Sequence, residues 1–129
     1  MLLVACAIIL NSQNKVIVCQ RSASMHLPLK WEFPGGKIEE NETPEECLTR
    51  EIKEELNIDI RIIEQLMTND HHYEDKFIRL IPFICRYLNG DIILKEHTQF
   101  KCLDKESLLN LDWAEADLPV LKEYLTKFC

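Results

Sequence analysis

The stretch Leu2–Leu10 is almost continuously apolar, and a second apolar run covers Lys15–Gln20 after the polar residues Asn11–Asn14. Two such runs around a short polar turn predict a β-hairpin. Arg21–Leu29 reads as a loop, and Lys30–Phe33 as a short extended piece that Pro34 keeps out of a helix. The period then changes. Leu48, Ile52 and Leu56 recur every four residues, the spacing of one helix face. Thr43 is suited to cap that helix, Pro44 to open it, and Glu46 to complete a Thr-x-x-Glu capping box. Asn57 is suited to the left-handed position that ends it.

Beyond the helix, Ile58–Met67 alternates, with Ile58, Ile60 and Ile62 on one face of a predicted strand. Thr68–Asp75 is polar. Phe77–Leu88 is nearly all apolar and reads as a central strand. Asn89-Gly90 predicts a hairpin turn, with Ile92–Lys95 and Phe100–Leu103 as edge pieces. Asp104 is expected to cap a short helix over Lys105–Leu109. Asp117 is expected to cap a last helix carrying Val120, Leu121, Tyr124, Leu125 and Phe128. Strands combined with two or three helices predict an α/β (α+β) domain, a mixed sheet covered on both faces.

Length and charge narrow the function. The 129 residues suffice for one domain over 1–129 with its own core. A net charge of −7 disfavours nonspecific nucleic-acid binding. The six cysteines show no C-x-x-C or zinc-type spacing, so they read as reduced thiols of a cytoplasmic protein. Met1–Leu10 has no basic leader region and no small-residue cleavage site, and runs straight into a turn and second strand. It reads as neither signal peptide nor membrane span.

The chemistry concentrates on the predicted helix. Glu51, Glu54 and Glu55 stand at i, i+3 and i+4 and share one arc of roughly 100°. They border the apolar stripe, so they are expected at the rim of the core. Three close carboxylates raise one another's pKa unless a cation neutralises them. Hard oxygen donors favour Mg²⁺ or Mn²⁺. Arg50 precedes Glu54 by four residues and can orient it. The Gly35-Gly36 pair is expected to form a turn whose carbonyl approaches the metal without a Cβ in the way.

The segment 36–58 resembles the Nudix box, G-x5-E-x7-R-E-U-x-E-E-x-G-U, where U is a bulky aliphatic residue. Gly36, Glu42, Arg50, Glu51, Ile52, Glu54, Glu55 and Ile58 match, and Asn57 stands where the pattern has its last Gly. Asn also visits the left-handed region, so the departure touches helix termination and leaves the chemistry alone. Trp31–Lys37 and the Ala116-Asp117-Leu118-Pro119 tail resemble the MutT-like branch, near its CTP pyrophosphohydrolase-like and 8-oxo-dGTP diphosphatase-like members.

The resemblance implies a Nudix α/β/α sandwich and Mg²⁺-dependent hydrolysis of a nucleoside triphosphate to a monophosphate and pyrophosphate. It implies metal ligands at Glu51, Glu54, Glu55, Glu96 and a Gly35 or Gly36 carbonyl. Glu51 is the first choice of general base and Glu55 the second, with Glu42 and Arg50 structural. Arg21, His26, Phe33 and Asp117 are expected near the nucleotide. Asp117 is expected to contact the base. If ionised it only accepts hydrogen bonds, which favours an amino-bearing edge such as cytosine or adenine. Trp31 and Phe33 are expected first as core. A dinucleotide or nucleotide-sugar hydrolase and a noncatalytic sensor are the alternatives. The oligomeric state, monomer or homodimer, stays open.

Overall fold

A computed structural model describes residues 1–127. Strand β1 (Leu2–Leu10) is its spine. It pairs in parallel with β7 (Lys76–Asn89) from Leu2↔Ile78 to Leu10↔Arg86. Its end turns back into β2 (Val16–Gln20), with Ile9 opposite Ile17, so the expected hairpin forms. β3 (Trp31–Glu32) and β8 (Gln99–Leu103) both pair antiparallel with β2. β5 (Asp59–Gln65) and β6 (Asn69–Tyr73) pair antiparallel with successive parts of β7, on the edge that β1 leaves open. The sheet is therefore mixed.

Period-two alternation places the layers. In β1, Ala5, Ala7 and Ile9 face α1 (Pro44–Leu56), beside its buried Cys47, Leu48, Ile52 and Leu56. The intervening Cys6 and Ile8 face α3 (Leu118–Lys127), beside Val120, Leu121 and Tyr124. β2 divides the same way, Ile17 and Cys19 toward α1 and Val16 and Val18 toward α3. This is the expected helix–sheet–helix sandwich.

The caps of α1 form as read. The Thr43 hydroxyl accepts from the Glu46 N–H, the Glu46 carboxylate accepts from the Thr43 N–H, and Asn57 ends the helix at φ 63°.

Several expectations change. Gly35-Gly36-Lys37 is no turn; it is strand β4, antiparallel to β1 with Ala5 opposite Gly36. The polar stretch before β7 contains β6. Gly90 takes a positive φ of 102°, but Asn89-Gly90 makes no hairpin, and Ile92–Lys95 is not a strand. Instead the chain runs along the end of α1, with Ile93 N–H donating to the Leu56 carbonyl and Lys95 N–H to the Glu55 carbonyl. The short helix α2 covers Lys105–Leu108, and the Asp104 side chain makes no capping bond. The Asp117 carboxylate does not cap α3 either. Asp117 closes a 3₁₀ turn (Glu115–Asp117), and its side chain binds far across the fold. Phe128 lies outside the described residues. Cys6, Cys19, Cys47, Cys85 and Cys102 are free thiols, as read. No helix among the described residues is long and apolar enough to cross a membrane.

Candidate active site

A cleft of about 350 Å³ opens where β4, the C-terminal part of α1, the 91–98 segment and the 3₁₀ turn meet. Its lining includes Gly35, Gly36, Glu55 and Glu96 together with Arg21, His26, Phe33 and Asp117. One space thus gathers most of the residues expected from the sequence. Glu51 lies beside it against Gly36, and Glu54 does not line it. The Glu51 carboxylate occupies the volume that a Cβ on Gly36 would take, 1.8 Å from that position. Glu54 points outward, more than half exposed, and receives Arg50 Nη1 at 3.4 Å. Among the described residues the carboxylates do not close into a ready three-ligand cluster.

The glycines are there for close approach. A Cβ on Gly35 would sit 1.9 Å from the Ala5 carbonyl oxygen of β1. No side chain is compatible with that backbone contact.

Glu55 is the acid of the α1 face whose carboxyl is raised furthest. Its Oε1 is buried without a hydrogen-bond partner. Burial, reinforced by the charges of Glu51, Glu32 and Glu96 and opposed by a backbone hydrogen bond from Gly35, pushes its carboxyl up to about 8. Burial likewise raises Glu51, with the Arg50 guanidinium opposing and Glu54 and Glu96 adding. A buried carboxylate oxygen facing further carboxylates is a place for a cation. The oxygen donors of Glu55, Glu51, Glu96 and the β4 carbonyls suit a hard divalent ion.

Glu42 and Arg50 form a two-pronged pair. Arg50 Nε donates to Oε2 at 3.0 Å and Nη2 to Oε1 at 2.7 Å. Arg50, helped by the Glu39 N–H, holds the Glu42 carboxyl down at about 2. The pair ties the segment before α1 to the helix and aims Arg50 at Glu51 and Glu54.

The opposite wall was only partly foreseen. Glu32 is clamped on both oxygens, by Arg21 Nη1 at 2.8 Å and His97 Nε2 at 2.8 Å. Sequence reasoning placed Arg21 there but missed Glu32 and His97. The eleven-residue spacing of Arg21, just past the end of β2, and Glu32 in β3 was the available signal; His97 gave none. Lys37, Tyr73 and Lys76 also line the cleft. His26 meets the edge of Tyr73 with ring centroids 5.5 Å apart. Phe33 is 2% exposed with its ring 4.7 Å from that of Trp113, and Trp31 is also buried, so both are core first, as expected.

Asp117 Oδ2 accepts from the Phe33 N–H at 2.8 Å. Burial, with the Glu32 charge behind it, drives its carboxyl well above the usual range; the Phe33 N–H and Arg21 oppose. Burial thus works against the ionised, acceptor-only form of Asp117. The site favours the neutral carboxyl, which donates as well as accepts.

The NUDIX domain model matches residues 2–124, so the chain belongs to the Nudix family. It is 42% identical over 93 residues to the 8-oxo-dGTP diphosphatase of Proteus vulgaris, covering 72% of this chain and 83% of that protein. It is 29% identical over 119 residues to the CTP pyrophosphohydrolase of Escherichia coli K12, covering 92% and 88%. Among solved structures, the MutT protein of methicillin-resistant Staphylococcus aureus 252 superposes with a TM-score of 0.78 at 40% identity, covering 98% of this chain and 96% of that one.

Proposed function

We propose that the chain acts as a single-domain, Mg²⁺-dependent nucleoside triphosphate pyrophosphohydrolase of the cytoplasmic nucleotide pool. The reaction is (d)NTP + H₂O → (d)NMP + PPi. The observation that carries this reading is the shared cleft: the unpartnered Glu55 oxygen and Glu96 line the same space as Arg21, His26 and Asp117. The diphosphatase and pyrophosphohydrolase names of its relatives support it.

Divalent metal goes with the family, and Mg²⁺ is the ion proposed, with Mn²⁺ as substitute. Glu51, Glu54, Glu55, Glu96 and a Gly35 or Gly36 carbonyl hold it. Bound there, the metal neutralises phosphate charge and lowers the pKa of coordinated water. One carboxylate, Glu51 as first choice and Glu55 as second, would take the proton from the attacking water. Arg50 restrains Glu51 and Glu54, and Glu42 restrains Arg50. Arg21 and His26 bind the nucleotide along the opposite wall, with Phe33 fixing Asp117 through its backbone.

Asp117 reads the base. In its neutral form it pairs one donor with one acceptor, as Asn does. The cleft therefore takes an amino-bearing base such as cytosine, or an oxidised purine such as 8-oxo-guanine. Replacement Glu54→Gln tests the metal assignment: Mg²⁺-dependent turnover should fall sharply, and an unchanged rate overturns it.

A further inference from the structure

Glu96 stands on irregular backbone, residues 91–98, which belong to neither helix nor strand. A carboxylate on such a segment needs other means of staying in place. Two backbone bonds flank it, Lys95 N–H to the Glu55 carbonyl at 3.2 Å and Thr98 N–H to the Gln20 carbonyl at 3.0 Å. The neighbouring side chain does more. His97 is the one buried residue within 91–100, and its side chain is 1% exposed. Its Nε2 lies 2.8 Å from Glu32 Oε2. With its hydrogen on Nε2 the ring donates to Glu32, and the unpartnered Nδ1 then carries no hydrogen that needs an acceptor.

Glu32 is itself held on two sides. Strand β3 holds its backbone against β2, and Arg21 holds its other oxygen. The imidazole is therefore anchored to a fixed point of the sheet, one residue from a carboxylate at the cleft. Burying a polar ring without full satisfaction is costly. A loop whose only task was to connect β7 to β8 would be served by an apolar side chain at this depth.

We propose that His97 is a positioning residue: through its bond to Glu32 it fixes the 95–98 segment so that Glu96 is held ready for the metal. The inference rests on Glu96 being a metal ligand in the proposed function. It does not depend on which nucleotide is hydrolysed.

The test is Mn²⁺ binding without nucleotide, read as free Mn²⁺ by electron paramagnetic resonance. His97→Phe fills the space but cannot donate. It should weaken Mn²⁺ binding by roughly 10- to 100-fold, the usual cost of losing a partner behind a metal ligand. His97→Gln places an amide nitrogen where Nε2 stands and should restore most of the affinity. His97→Asn, too short to reach Glu32, should not. In a Glu96→Gln background, His97→Phe should cost nothing further, because the two act as one unit. Wild-type affinity in His97→Phe, or an equal loss with and without Glu96, overturns the proposal. Should His97→Phe fail to fold, the Gln and Asn variants decide by the same criterion. Mn²⁺ binding that behaves as described in a protein that hydrolyses no triphosphate would leave His97 in its role and sink only the substrate reading.

Discussion

Glu42 and Glu55 belong to the same box and stand on opposite sides of its helix chemistry. Glu42 has both oxygens taken by Arg50 and its carboxyl held at about 2. Glu55 has a buried oxygen with no partner and a carboxyl pushed up to about 8. One carboxylate is finished by the protein, the other is left incomplete. The difference separates architecture from chemistry: an acid whose needs are met inside the fold holds the fold, and an acid whose needs are unmet awaits a ligand.

Breaking the incomplete side should have the largest effect. Glu55→Gln should lower Mg²⁺-dependent kcat by about 100- to 1,000-fold, or ~3–4 kcal/mol. Its stability should respond in the other direction. A carboxyl raised from 4.5 to about 8 by burial stabilises the fold while protonated, and that contribution is lost as pH rises from about 4.5 to 8. In EDTA, melting curves across that window should fall more steeply for the wild type than for Glu55→Gln. Parallel curves would show that Glu55 is not buried as described.

The two glycines divide the same way. Gly36→Ala pushes against the end of the Glu51 side chain, which can swing aside. It should lose about 100-fold in rate, the scale of an ångström of misplacement, with little change in Tm. Gly35→Ala pushes against β1 backbone and should cost about 1–3 kcal/mol of stability or more. Denaturant melts and kinetics on the pair would expose any exchange of roles.

On the finished side, Glu42→Gln should lower Tm at pH 7, with a smaller loss of rate than Gly36→Ala gives. Because the Glu42 carboxyl is depressed, its contribution is present above about 4.5 and is lost as pH falls toward 2. The two melting temperatures should therefore converge on acidification. The smallest effect expected is that of Asp117→Ala, which removes both donor and acceptor: a shift of roughly three- to tenfold in preference between cytosine and 8-oxo-guanine nucleotides, about one hydrogen bond. Equal kcat/KM ratios in the two proteins would remove Asp117 from base reading.

The parts of the molecule readable from the sequence are those written locally. Helix α1 carries its start, its stop and its apolar stripe within fifteen residues (43–57), and Glu42 and Arg50 are eight apart. Strand β6 was passed over because Asn69-Asp70-His71-His72-Tyr73 is polar on both faces, so its alternation of half-buried and exposed positions leaves no mark in hydropathy. Asn89-Gly90 read as a hairpin turn, but only the positive φ of Gly90 appears in the structure, and turn chemistry does not say which surface the chain meets next. Here it is the end of α1. The Glu32–His97 contact joins residues 65 apart, and a lone Glu and a lone His have no pattern to betray them. Asp117 shows the same limit in electrostatics. Its identity was plain, but its burial, which works against the charged form, exists only in the fold.

The central claim is pyrophosphate release from a nucleoside triphosphate. It is tested most directly by following ³¹P resonances of CTP, 5-methyl-dCTP, 8-oxo-dGTP, 2-hydroxy-dATP and the common nucleotides with Mg²⁺ and with EDTA. The account predicts monophosphate and pyrophosphate in equal amounts from at least one of these, with Mg²⁺ only. Diphosphate with orthophosphate, or no turnover of any triphosphate, would contradict it.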